Sequence, residues 1–281
     1  MMKRIPQVAA IALALVFAPK AFSQILFDNA STLPGAGTYG LVSNPNAGFG
    51  GNHLSVLISG TEGTFGFTAN TSTAFRIADD FTVPAGFTWT ITGANFFDYT
   101  TGATTPTLIG ATIRFFNGNP STGGTVFAGD TTTNVQTSAG FALDGATSIY
   151  RASSATPTDS NRRIQISTST LTGPVILGPG TYWIDYALTS STGAVFSPPM
   201  ALSTAAVTGD ALQFNGTSWV AMVDGTSLNA KGMPFQLIGT SAAIPEPGTW
   251  ALLGLTVVGA TGFAYRRRLK RELALEGKLK R

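Results

Sequence analysis

From Gln24 to about Ala243 the chain is cut into short runs of β-forming residues by Gly, Pro, Asn, Asp, Ser and Thr, and no helical period runs through it. Punctuation this dense leaves no length for an amphipathic helix, so strands must bury the apolar side chains. Phe87-Thr88-Trp89-Thr90-Ile91 alternates large apolar residues with threonine, which puts one face into a core and leaves hydroxyls on the other. Leu108 to Phe116, Arg163 to Ser167, Thr181 to Leu188, Ala211 to Phe214, Trp219 to Val223 and Pro234 to Gly239 predict further strands. Asp144-Gly145 and Asp224-Gly225 are turn dipeptides, and Pro174, Pro179-Gly180 and Pro198-Pro199 are expected to stop strands because proline lacks the ladder donor. No linker or composition break interrupts the region. The expectation is an all-β fold, a single antiparallel β-sandwich of jelly-roll type, over residues 24–243.

The two ends read differently. Met1 to Ser23 has a basic start at Lys3-Arg4, an apolar core from Val8 to Ala18, and Ala21-Phe22-Ser23 before Gln24, the three parts of a secretory signal peptide. At the other end, Ile244-Pro245-Glu246-Pro247-Gly248 precedes an uncharged apolar run over residues 249–265. At 1.5 Å per residue that run reaches about 26 Å as a helix, enough to enter the range of a transmembrane span. Trp250 and Tyr265 stand at its ends, where amphipathic rings favour the interface. Arg266, Arg267 and Arg268 then form a cytoplasmic stop at the head of a basic tail, residues 266–281, which places the body on the outer side of the membrane.

Charge follows the same division. The formal net charge is +3, yet residues 24–243 hold six Lys and Arg against eleven Asp and Glu, a net of −5. The basicity belongs to the ends, and an acidic body of this kind is not a nucleic-acid binder. With no Cys, disulfides, thiol catalysis and Cys-ligated metals are excluded.

Candidate chemistry is sparse. His53 is the only histidine, no G-x-S-x-G elbow is present, and no H-E-x-x-H occurs, so neither a serine hydrolase nor a zinc protease is indicated. Gly50-Gly51-Asn52-His53-Leu54 reads as a loop entering a strand, with His53 an ordinary surface or turn histidine. Glu62 is the only glutamate in the body, and no aspartate spacing singles out a glycosidase pair. Asp79-Asp80 is the main acidic feature. Adjacent strand residues face opposite ways, so one carboxylate lies near the core and must be hydrogen-bonded or hold a cation, with Ca2+ the candidate; the alternative is a turn or strand cap. No other cofactor is indicated. Trp89, Trp183 and Trp219 are candidate flat platforms for glycan rings, weighed against ordinary core positions.

Two resemblances add to this reading. Ile77 to Pro84, Trp89-Thr90-Ile91, Ile113 to Phe116, Gly180 to Ile184, Gly216 to Trp219 and Pro234 to Gly239 together resemble a group of exported bacterial β-sandwich proteins, a likeness that transfers no activity. The order Pro-Glu-Pro, apolar span, arginine cluster resembles the PEP-CTERM sorting signal of Gram-negative bacteria, carried here by Pro245, Glu246, Pro247, the span and Arg266 to Arg268. That resemblance implies an exosortase, a membrane-embedded transpeptidase, as the partner that cuts at or near the motif. It also implies delivery to the cell surface or extracellular matrix, in the company of exopolysaccharide and biofilm formation. The tail departs from the pattern by running on to Arg281. The expectation is a non-enzymatic exported surface protein; the alternatives are a carbohydrate-binding or carbohydrate-active module and a permanently anchored single-pass inner-membrane protein.

Overall fold

The computed structural model describes residues 23–30, 40–42, 49–142, 147–200, 209–244 and 261–271. Two antiparallel sheets dominate it. The first runs in the order β1 (Gln24–Asp28), β15 (Phe235–Ala243), β5 (Phe87–Tyr99), β10 (Ile164–Leu177), β8 (Gln136–Phe141), with β12 (Phe196–Ser197) joining β5 and β3 (Phe67–Thr68) joining β12. The second is β14 (Trp219–Ala221), β13 (Leu212–Asn215), β4 (Phe75–Val83), β11 (Gly180–Ser190), β6 (Leu108–Phe116), β7 (Val126–Gly129). A parallel pair, β2 (His53–Leu57) and β9 (Ile149–Ser153), completes the set.

Strand alternation explains how the sheets meet. Ile77, Phe81 and Val83 of β4, Ile113 and Phe115 of β6, and Ile184, Tyr186 and Leu188 of β11 recur every second residue and turn toward one side. They form one buried cluster with Trp89, Ile91 and Phe96 of β5, Val175 and Leu177 of β10, and Phe235 and Leu237 of β15. Aromatic pairs cross between the sheets: Phe96 stacks on Tyr186 at 4.0 Å, and Phe81 lies parallel to Trp89 at 6.4 Å with an interplanar angle of 3°. Each fully buried ring of this kind removes enough apolar surface to contribute roughly 1.5–3 kcal/mol.

Each predicted strand overlaps an observed one, with ends that overrun it by one or two residues at Arg163, Ala211, Val223 and Pro234, and with informative differences. β5 continues beyond Ile91 to Tyr99, where Ala94, Phe96 and Phe97 are buried. β10 continues through Pro174, which was expected to end a strand. Its register against β5 slips between Thr170 and Val175, and Leu171 to Pro174 lie in that irregularity, where no ladder donor is required of the proline. The Asp144-Gly145 turn lies outside the described residues.

Asp224 is the polar joint of the body's other end. Its buried carboxylate accepts from the backbone N–H of Gly63 (3.1 Å), Thr64 (3.0 Å), Thr226 (2.9 Å) and Ser227 (2.9 Å), tying the turn after β14 to a loop 160 residues earlier in the chain. Nearby, Lys231 pairs with Glu62 in the interior, and the Glu62 carboxylate also accepts from Ile58 N–H at 2.9 Å. Replacing Asp224 with Ala strips four backbone donors of their acceptor. We expect the substitution to cost about 2–4 kcal/mol in urea unfolding; a loss below about 0.5 kcal/mol would contradict this role.

Candidate functional site

The outer face of the second sheet carries charge where a solvent-facing sheet is usually merely polar. Arg76 on β4, Asp185 on β11 and Arg114 on β6 project from three adjacent strands, Asp185 pairing across the ladder with Arg114. Asp185 is fully buried. Arg76 grips it with two bonds, Nε to Oδ2 at 2.9 Å and Nη2 to Oδ1 at 2.8 Å, and spends its remaining reach on Thr112, Nη1 to Oγ1 at 2.8 Å and Nη2 to the carbonyl at 3.2 Å. Arg114 approaches from the other side with Nε 3.0 Å from Oδ2 and Nη2 in contact with the same oxygen. Two guanidinium groups share one carboxylate, so the cluster carries a net charge of +1.

Beside it the same face is aromatic. Phe116, Trp183, Ala78 and Leu212 form a small buried cluster with Trp219 packed on its edge. Trp219 meets Phe116 edge-on (6.2 Å, 90°) and lies 5.3 Å from Phe214, while the Arg114 guanidinium sits 5.2 Å from the centre of the Phe116 ring. Between the arginines and the rings opens a pocket of about 410 Å³, lined by Arg76, Arg114, Phe214 and Trp219, with Thr71 and Thr131 also in its wall. Of the three predicted glycan platforms, Trp219 alone borders this space. Trp89 and Trp183 are only 6% and 4% exposed, Trp89 in the core between the sheets and Trp183 under the outer cluster, so neither offers a ring face to a glycan.

The aspartate pair acquires a third member. Asp79 and Asp80 on β4 stand with Asp210, just before β13, so that one oxygen of each lies within 4.8 Å of the others. Asp79 is buried and accepts from Met233 N–H at 2.6 Å and Asp80 N–H at 2.9 Å. Burial pushes its carboxyl well above the usual range, and the neighbouring Asp210 and Asp80 charges push further, against those two hydrogen bonds. Asp80 is raised to about 6 by partial burial and the Asp210 charge, and Asp210 is raised by partial burial. Hard carboxylate oxygens are the donors Ca2+ takes, so these three residues could hold such a cation. Nothing in the local spacing around Asp79 points to Asp210, which arrives through strand pairing alone.

A further buried carboxylate, Asp98 on β5, takes a hydrogen bond from Ser197 Oγ, which in turn accepts from Tyr186 Oη at 3.1 Å. Burial raises Asp98 to about 7, opposed by that serine bond. His53 is not the surface residue expected: it opens β2 and is buried, its N–H donating to Ser148 O at 2.9 Å.

At the C-terminal end, β15 closes at Ala243, and Ile244 N–H donates to Gly86 O at 2.8 Å. Pro245, Glu246 and Pro247 lie outside the described residues, as does most of the predicted span. Residues 261–271 form an exposed helix that includes Arg266, Arg267 and Arg268, with the Arg267 guanidinium 4.6 Å from the Phe263 ring centre. Among the described residues no helix is long and apolar enough to cross a membrane.

The raised aspartates set a direction for pH. Their folded forms bind more protons than the unfolded chain, so the stability they contribute is full below the ordinary aspartate value near 4 and is lost as pH rises from there through about 6 and 7. We expect the melting temperature to drop by several degrees between pH 4.5 and pH 7.5. Asp210→Asn, which removes one charge of the trio at an exposed position, should flatten the slope and raise the melting temperature at pH 7.5. A variant melting curve that tracks the parent at every pH would remove the trio from this account.

No curated protein and no solved structure was found to match the chain. Residues 243–268 match the family model of the PEP-CTERM protein-sorting motif. The match begins on the last residue of β15 and ends at the third arginine of the cluster, so it takes up where the sheet stops. That signal implies export, transient anchoring in the membrane and processing by an exosortase, and the chain carries it as a PEP-CTERM sorting motif at residues 243–268.

Proposed function

We propose that this is a non-enzymatic surface or matrix protein, exported by the signal at residues 1–23, held by a transmembrane helix over residues 249–265, and released by exosortase cleavage at or near Pro245-Glu246-Pro247 to associate with extracellular polysaccharide. The body is a jelly-roll-type sandwich that serves as the delivered cargo. One observation carries the reading: the sorting motif abuts the end of β15. Phe235 and Leu237, both fully buried, lie on the body side of the motif, so a cut there leaves the core whole. Strand β1 begins at Gln24, next to the predicted signal cleavage point, so trimming at the other end also spares the sheets. Polysaccharide association draws its support from the half-buried Trp219 beside the arginine pair.

Intact mass measured on protein from cells with and without the exosortase tests the processing. The expected mature species ends within the Pro-Glu-Pro region and leaves the membrane fraction, whereas cells lacking the enzyme retain a species ending at Arg281. A terminus at Arg281 in both strains would favour a permanently anchored protein instead.

A further inference from the structure

The arginines of the outer sheet face are not equivalent. Arg76 is 5% exposed, and all three of its guanidinium nitrogens are engaged by Asp185 and Thr112. Arg114 spends Nε and Nη2 on Asp185, while its side chain remains 22% exposed and its Nη1 has no hydrogen-bond partner among the described residues. Arg114 is also one of the residues lining the pocket, so the surplus positive charge of the cluster lies at its wall. Asp185 fixes the orientation of the Arg114 guanidinium without neutralising it, because the same carboxylate is already shared with Arg76. A guanidinium held this way has little rotamer freedom left to lose on binding an anion.

The surroundings narrow the anion further. Trp219 and Phe214, both half-buried, give the pocket an apolar wall. Thr71 and the exposed Thr131 bring hydroxyls, and the volume of about 410 Å³ lies within the usual range for small-molecule sites of roughly 300–1,000 Å³. A pyranose ring edged with hydroxyls and bearing one carboxylate meets all three features: its C–H face against Trp219, its hydroxyls toward the threonines, its carboxylate on Arg114. We propose that this pocket binds a uronic-acid residue of an acidic extracellular polysaccharide. The assignment rests on the polysaccharide association proposed above and names the sugar class that serves it. An acidic peptide would satisfy Arg114 but leave the aromatic wall without a ring partner, so the observations favour the sugar. The body's net charge of −5 disfavours non-specific binding of a polyanion over its surface, so an acidic polymer needs a local cationic site of this kind.

The test uses the full chain in detergent micelles, titrated with a mannuronate hexamer, with cellohexaose and with a hexaglutamate peptide, read by tryptophan fluorescence and calorimetry. The uronate oligomer should bind in a salt-sensitive manner, and cellohexaose and hexaglutamate at least about tenfold more weakly. Trp219→Ala should weaken uronate binding about tenfold. Thr131→Glu places a charge of the ligand's own sign at an exposed position of the pocket wall, so it should abolish binding with the melting temperature unchanged, whether or not an Arg114 variant folds. Equal affinity for cellohexaose or hexaglutamate, no uronate binding by the parent, or undiminished binding by both variants would each overturn the site. Retention in the producer's polysaccharide separates the two levels: parent and variants retained alike leaves matrix association standing and removes the pocket, whereas a parent protein that is not retained removes the association itself.

Discussion

The body depends on the contact between two sheets through Phe81. Its ring lies parallel to Trp89 of the facing sheet, meets Phe115 of its own sheet edge-on at 6.3 Å, and touches Phe27 of β1 at 6.2 Å and Tyr182 of β11 at 6.0 Å. Because β4 alternates, burying Phe81, Ile77 and Val83 on one side sends Arg76, Ala78 and Asp80 to the other. Asp79, in phase with the core residues, is thereby drawn inside, where among the described residues two backbone N–H groups donate to it. The position of the arginine cluster and the discomfort of the aspartates both follow from where one aromatic ring must go.

The second sheet is in effect covered on both faces. Its inner side meets the first sheet, and its outer side carries the Phe116, Trp183 and Leu212 patch beside the Arg76, Asp185 and Arg114 network. A charged group under such cover is desolvated and needs an opposite charge with good geometry. Asp185 receives two arginines and is satisfied. Asp79 and Asp98 receive none, and burial shifts them toward protonation instead. The body therefore shows both outcomes open to a buried carboxylate, Asp79 and Asp185 within the second sheet and Asp98 in the first, with strand register deciding between them.

How much of this was legible in the residues differs by scale. Alternation in Phe87 to Ile91 and the run from Leu108 to Phe116 announced strands because period-two patterning is local. Trp89 and Trp183 could not be sorted from Trp219, since all three sit in alternating runs and burial depends on what lies across the sheet. His53 carries a misleading local signal for a related reason: its glycine-rich approach reads as a loop, while its partner strand β9 begins almost a hundred residues later. The arginine network had no local signal at all, with 109 residues between Arg76 and Asp185 and 71 between Arg114 and Asp185. At the C-terminus the situation reverses. Pro-Glu-Pro, the apolar run and the arginines are contiguous, and that contiguity made the sorting signal readable without any fold.

The clasp from Ile244 N–H to Gly86 O bears on how the body withstands being tethered. While the chain is held at its C-terminal end, any drag on the body is transmitted into β15, a nine-residue strand bonded on one side to β1 and on the other to β5. Antiparallel ladder bonds run across the strands, so a pull along β15 loads many of them at once in shear instead of opening them one by one. The strand that precedes the sorting motif is thus arranged as a mechanical anchor point, able to carry tension without letting the core unravel from its end.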